Sequence, residues 1–210
     1  MSEMINLVID GQSADIERGS TVLEAARYLG IDIPTLCHVD GLSDYSACRV
    51  CVVEVKRGNR SQLSASCSLP VQEGMEVLTN SARVKKARKV LIELMLASSP
   101  NSRTLQCMAS KYGVTKIRYK SEDRGCILCG LCVRMCEEQM GAGAIGFFYR
   151  GTGREVAMPF HTRDELCREC GGCLYICPVC ELPCRGPLQP GELCNACLDT
   201  LQLEAFPCRE

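Results

Sequence analysis

Apolar and polar residues alternate at the start of the chain. Ile5, Leu7 and Ile9 mark one face of Met4–Ile9, Asp10-Gly11 supplies a tight-turn pair, and Gln12–Glu17 returns, so the pattern predicts a β-hairpin. The period then lengthens. Val22, Leu23, Ala25, Ala26 and Leu29 recur at helical spacing, Thr21 and Glu24 stand in capping-box positions, and Gly30 closes the helix. Val50–Lys56 and Gln62–Ala65 read as a second hairpin turned at Gly58-Asn59, with Met75–Leu78 as a short last strand. Residues 81–118 are mainly helical. Val84, Ala87, Arg88, Leu91, Leu94 and Met95 form one stripe, Lys85, Lys86 and Lys89 lie off it, and Ser98-Ser99-Pro100-Asn101 breaks the helix. The basic stretch Arg83–Lys89 reads as a solvated helix face. Further on, periodicity gives way to glycine, proline and cysteine.

Composition changes the picture through one residue type. Cysteine accounts for 18 of 210 residues, the level of a metal- or disulfide-framed chain. Met1–Asp10 lacks the basic-then-apolar pattern of a secretory leader, and Val90–Ala97, the best apolar run, is short and holds Glu93. The expected setting is therefore a reducing cytoplasm, where clustered cysteines mean metal more often than disulfides. A formal net charge of −1 argues against a nucleic-acid surface, and no G-x-G-x-x-G unit or Walker loop marks a nucleotide or flavin site.

Eight cysteines form two matching runs. Cys126, Cys129, Cys132 and Cys136 follow C-x2-C-x2-C-x3-C, as do Cys167, Cys170, Cys173 and Cys177, and Pro178 follows the second run. This spacing fits two 4Fe–4S clusters with crossed fourth ligands. One cluster takes Cys126, Cys129, Cys132 and Cys177; the other takes Cys167, Cys170, Cys173 and Cys136. Glu137, not proline, follows Cys136. Gly141–Gly146 and Gly151–Gly153 fall in the linker between the runs.

A third set, Cys37, Cys48, Cys51 and Cys67, is spaced C-x10-C-x2-C-x15-C. Taken alone, four thiolates suit zinc as well as iron. The flanking residues are more specific. Ile33-Pro34-Thr35-Leu36-Cys37-His38, Cys48-Arg49-Val50-Cys51-Val52-Val53-Glu54-Val55 and Cys67 resemble the amino-terminal 2Fe–2S domain of the complex I large iron–sulfur subunit. The same domain opens many iron-only hydrogenases and the small diaphorase subunits of NAD-linked hydrogenases. The resemblance covers roughly residues 1–180. It implies that the four cysteines hold a 2Fe–2S cluster and that His38 stands beside the ligands without being one.

Relatives of this kind usually carry a further 4Fe–4S cluster bound by one histidine and three cysteines. Here the downstream anchor Leu105-Gln106, Ala109, Tyr112-Gly113-Val114 is recognisable, but Ala97–Thr104 holds none of those ligands. No metal is expected between residues 95 and 118, and Cys107 is expected to be a buried or half-buried thiol. The loss lengthens the gap between the first centre and the tandem pair, so either the electron route avoids that gap or a moving domain or partner bridges it. In the tail, Cys180, Cys184, Cys194 and Cys197 make a set of four with Cys208 as an alternative ligand, suited to zinc or a further Fe–S cluster. A Cys177–Cys180 knuckle is an alternative that would take a ligand from the tandem pair.

The expected architecture is α+β in four parts: a β-grasp 2Fe–2S ferredoxin domain at 1–80, a helical linker at 81–118, a tandem 4Fe–4S ferredoxin-like domain at 119–179 and a cysteine-rich metal-binding tail at 180–210. No catalytic residues are expected, and too little chain follows the tandem runs for a hydrogenase catalytic domain. The resemblance implies an electron-transfer subunit of an NAD(P)H-linked flavin oxidoreductase of hydrogenase, formate dehydrogenase or electron-bifurcating transhydrogenase type. Its partners would be an NAD(P)H-oxidising flavoprotein, other redox subunits and soluble ferredoxin, with neither nucleic acid nor a membrane span involved. A redox-sensing regulator and a zinc-bound structural module are the alternatives.

Overall fold

The computed structural model describes residues 3–58, 60–161 and 165–179. It opens with the expected hairpin, β1 (Met4–Ile9) and β2 (Gln12–Glu17). Asp10 and Gly11 both take positive φ, as a turn that follows the right-handed twist of the strands requires. Helix α1 (Val22–Tyr28) starts on the expected capping box: Thr21 accepts from the Glu24 amide, and the Glu24 carboxylate takes the Thr21 amide. β3 (Val52–Arg57) and β4 (Arg60–Ala65) form the second hairpin, and β5 (Met75–Leu78) completes a five-stranded sheet. Asn59, in the expected turn, lies outside the described residues.

The sheet order is β2-β1-β5-β3-β4. β1 and β5 run parallel, with Ile9 opposite Val77, and every other pair is antiparallel. Alternation along the strands sends Leu7, Ile9, Val53, Val55 and Val77 to one face. There they bury completely against Val22, Leu23, Ala25 and Ala26 of α1. Cys51 and Cys67 belong to this core.

A helical hairpin follows, α2 (Ala82–Ser98) and α3 (Arg103–Tyr112), capped by the Ser81 and Ser102 hydroxyls and closed by Gly113 in the left-handed conformation. The buried row of α2 is Val84, Arg88, Ile92 and Leu96. Leu94, placed in the stripe by periodicity, is 43% exposed. The row turns on Arg88, which is buried and donates to the carbonyls of Val50 (3.0 Å) and Val52 (2.8 Å). Lys85, Lys86 and Lys89 are exposed, as a solvated face requires. Glu93 is also buried and pairs with Arg118 at 2.8 Å. That guanidinium, with burial opposing it, holds the Glu93 carboxyl below the ordinary carboxylate range.

The remainder is built on two short helices, α4 (Leu131–Arg134) and α5 (Gly172–Tyr175). A π-turn, Met135–Gln139, prolongs α4 through Cys136 and Glu137, closed by the Met140 amide on the Met135 carbonyl. Proline at 137 would remove a donor from that turn; glutamate lets it continue. The glycine-rich linker is not featureless: β6 (Gly146–Phe148) and β7 (Glu155–Ala157) pair within it. The observed chain is α+β. No helix among the described residues is long and apolar enough to cross a membrane.

Two outcomes test this packing. Arg88→Ala strands two buried carbonyls and empties their donor's space, so unfolding free energy should fall by about 3 kcal/mol in a denaturant titration. The stability supplied by Glu93 is present above the ordinary carboxylate pKa of about 4.3 and is lost as pH falls through its lower folded value. Glu93→Gln should therefore flatten the acid limb of the stability–pH profile below about pH 4, read by thermal unfolding.

Candidate metal centre

The loop from Ile33 to Cys51 brings three cysteines to the end of the sheet, and the turn after β4 brings the fourth. Cys37, Cys48, Cys51 and Cys67 are free thiols with at most 4% exposure. They meet as two pairs. The Cys51 and Cys67 sulfurs are 3.4 Å apart, and the Cys48 thiol bonds Cys37, whose sulfur also takes the Cys48 amide at 3.4 Å. The Cys48 thiol and nearby amides bring Cys37 down to about 6, while Cys48 is pushed up. The Cys67 thiol likewise brings Cys51 to about 6, and Cys67 rises. Burial opposes thiolate formation, but the amides of Ala47, Cys48, Ser66 and Cys67 favour it. The Ser46 hydroxyl adds a contact 3.3 Å from the Cys67 sulfur, and Ser46 adopts φ 54° to make it.

This donor set fits a two-iron cluster. It is all sulfur, shielded from water and supplied with N–H donors, and its sulfurs stand two by two, as two irons demand. Among the described residues no three His, Cys, Asp or Glu side chains converge on a single ion. His38 sits beside the set, with Nδ1 2.6 Å from Asp44 and its other nitrogen near Asp40. It is turned towards carboxylates.

The tandem runs repeat one backbone conformation. Leu128 and Glu169 have φ 54° and 53°, and Gly130 and Gly171, which start α4 and α5, have φ 74° and 72°. Gly130 is required twice over: a Cβ there would lie 3.1 Å from the Tyr45 ring. Burial raises the Cys126 thiol and lifts Cys129 to about 12 and Cys132 to about 11, and nearby Cys177 raises all three further. Cys173 is raised by burial, then by its neighbours Cys136 and Cys170. Cys177 thus stands with the first run and Cys136 with the second. Cys167 is half-buried on the same loop as Cys170, which is exposed.

The loop Ser99–Ser102 between α2 and α3 packs on the second run, where the Ser102 hydroxyl reaches the Pro178 carbonyl at 3.4 Å. Cys107 is half-buried and disulfide-bonded, where a thiol was expected. Cys180, Cys184, Cys194, Cys197 and Cys208 lie outside the described residues.

The chain packs the first centre and the first tandem run against one core. Cys37, Cys48 and Cys129 share one apolar core with Leu36, Ile92 and Leu131. A cleft of about 730 Å³ is lined by both Cys48 and Cys126. Three residues missed from sequence make the junction. Arg134 donates to the carbonyls of Cys37 (2.7 Å) and Ser43, Glu138 accepts from the Ser43 amide (2.8 Å), and Gln139 donates to Gly41 (2.6 Å). Their partners lie more than ninety positions away, so no local pattern announces them.

Residues 2–82 match the family described as 2Fe–2S iron–sulfur cluster binding domain. The chain is 34% identical to an NADH-quinone oxidoreductase subunit of Rhizobium meliloti (strain 1021), over 90% of this chain and 25% of that protein. It is also 34% identical to the NADP-reducing hydrogenase subunit HndD of Solidesulfovibrio fructosivorans, over 84% of this chain and 35% of that protein. The solved NAD+-reducing [NiFe]-hydrogenase in its H2-reduced state superposes with a TM-score of 0.65 at 29% identity, over 73% of this chain and 74% of the matched one. The chain spans about a quarter to a third of the length of the two curated relatives named. The resemblance to iron–sulfur subunits of complex I and NAD(P)-linked hydrogenases, implied by residues around Cys37, Cys48 and Cys51, is thereby shown.

Ser46→Ala removes the hydroxyl that lies 3.3 Å from the Cys67 sulfur and donates to the Ser68 hydroxyl. With the two-iron cluster that this donor set fits bound, its reduction potential, read by EPR-monitored redox titration, should shift while iron and sulfide content stays unchanged.

Proposed function

We propose that this chain is an electron-transfer subunit of a multi-subunit NAD(P)H-linked oxidoreductase. The observation that carries the reading is the shared core: Cys37 and Cys48 of one site and Cys129 of another are buried together. In this reading Cys37, Cys48, Cys51 and Cys67, in a β-grasp domain, hold a 2Fe–2S cluster. Cys126, Cys129, Cys132 and Cys177 hold one 4Fe–4S cluster, and Cys167, Cys170, Cys173 and Cys136 hold the other. Such centres supply one-electron redox chemistry. The protein's own part is to keep the sulfurs dry, aim N–H groups at them and hold the sites at fixed separation. The cysteine-rich tail, with Cys180, Cys184, Cys194 and Cys197, is assigned a further metal, zinc or iron–sulfur.

The grouping of Cys177 with the first run and Cys136 with the second supports the crossed ligand sets. The second run is also the more open, with Leu166 and Tyr175 exposed nearby. That suits electron exchange with another redox subunit. The named relatives, subunits of an NADH-quinone oxidoreductase and an NADP-reducing hydrogenase, support a nicotinamide-linked redox subunit as one partner, in this reading a flavoprotein, and the one-electron chemistry of the centres supports ferredoxin or a catalytic subunit as the other.

Anaerobically purified protein should contain iron and acid-labile sulfide in equal amounts and show thiolate charge-transfer absorption. Zinc without sulfide would end the reading. Cys177→Ser should remove the EPR signal of one 4Fe–4S centre, Cys136→Ser that of the other, and neither should remove the 2Fe–2S signal.

A further inference from the structure

Arg134 is the least expected buried charge among the described residues. It sits inside the first tandem cysteine run, between Cys132 and Cys136, yet its side chain enters the loop of the first centre, with 7% of its surface exposed. One terminal nitrogen donates to the carbonyl of Cys37 at 2.7 Å, and the other to the carbonyl of Ser43. The guanidinium also lies 5.7 Å from the Tyr45 ring centroid, and Tyr45 in turn stacks on Phe147. Its Nε is buried with no hydrogen-bond partner among the described residues.

The acceptors are neutral. Arg134 bonds carbonyl oxygens and the face of a ring, not a carboxylate. Of the two acidic residues in the π-turn behind it, both exposed, Glu138 is committed to Ser43. The positive charge is therefore directed at the Cys37 loop without an ion-pair partner among the described residues. Buried guanidinium groups are costly to desolvate and ordinarily find an anion. The negative groups around it are Glu138, whose carboxyl is held below the ordinary range first by Ser43 and then by this charge, and the thiolate set that begins at Cys37.

We propose that Arg134 is a positioning residue that sets the reduction potential of the first centre, favouring its reduced form from across the domain junction. The inference rests on the iron–sulfur reading above. Reduction by one electron breaks no bond and adds one negative charge to a centre already ringed by thiolates. A cation fixed beside a ligand residue in a low-dielectric core stabilises that added charge more than it stabilises the oxidised centre. Because Arg134 belongs to α4, the same side chain ties the centre's potential to the docking of the tandem domain.

The test is an EPR-monitored titration with dithionite and mediators on the full anaerobic protein. At the potential where the native 2Fe–2S centre is half reduced, Arg134→Gln, which removes the charge, should shift the reduced-to-oxidised ratio downward by roughly tenfold. Arg134→Lys, which keeps the charge, should remain close to half reduced. An unmoved ratio in Arg134→Gln would overturn the proposal, and so would an equal fall in both variants. If Arg134→Gln does not retain the centre, the lysine variant decides: a ratio near one half supports the charge assignment and a fall overturns it. Loss of the centre from both variants would make the residue a purely structural clamp, and the proposal would fail. A native protein with no reducible 2Fe–2S signal would end the iron–sulfur reading itself; a native signal with unmoved variants ends only this inference.

Discussion

A thiolate held away from water needs hydrogen-bond donors, and the loop from Cys37 to Cys51 is shaped to supply them. Burial alone would keep Cys37 and Cys51 protonated and unable to bind metal. The Cys48 thiol at one pair and the Cys67 thiol at the other do most to reverse that tendency, and the amides of Ala47, Cys48, Ser66 and Cys67 add to it. Reaching this arrangement requires unusual backbone. Ser46 and Arg49 both take positive φ, a conformation that costs a side-chain-bearing residue about 1 kcal/mol or more. Surrounding packing has to hold such a loop in place.

Two buried arginines provide much of that packing, one from each side. Arg88 of α2 holds the carbonyls of Val50 and Val52, which flank Cys51. Arg134 of α4 holds those of Cys37 and Ser43. The loop that carries three of the four cysteines is thus clamped between the helical hairpin and the tandem region. This explains why the cysteine pairs divide between two cores: Cys51 and Cys67 pack with the sheet, whereas Cys37 and Cys48 pack with α2, α3 and α4. The first centre is itself the joint between the two halves of the described chain.

The departure of Glu137 from the proline found after Cys177 has a structural meaning in this light. Without proline the helix past Cys136 continues as a π-turn, and the extra turn delivers Glu138 to Ser43 and Gln139 to Gly41. In the second run Pro178 follows at once, α5 stops at Tyr175, and the Pro178 carbonyl meets Ser102 instead. Glu137 in place of proline, together with Arg134 where the second run has Tyr175, distinguishes the run that docks on the first centre from the run that packs on the helical hairpin.

Local pattern was enough for β1, β2 and α1, whose limits follow from alternation, a turn pair and a capping box, because each is stabilised by neighbours close in sequence; β5 showed its own alternation, but its partner β1 lies far along the chain. The cysteine spacings were equally legible, since a cluster ligand set is a short-range constraint on the chain. What alternation and spacing could not reveal was anything that depends on groups far apart in the chain. The stripe of α2 included Arg88 but not its acceptors, the Val50 and Val52 carbonyls on another element, and it placed Leu94 inside where the buried row runs through Ile92 and Leu96. The strands β6 and β7 hid in a glycine-rich linker because only each other, and not their own composition, defines them. The pairing of sulfurs two by two, the shared core of Cys37, Cys48 and Cys129, and the reach of Arg134 to Cys37 were decided by tertiary structure alone, since burial and electrostatic coupling act through space and leave no period along the chain.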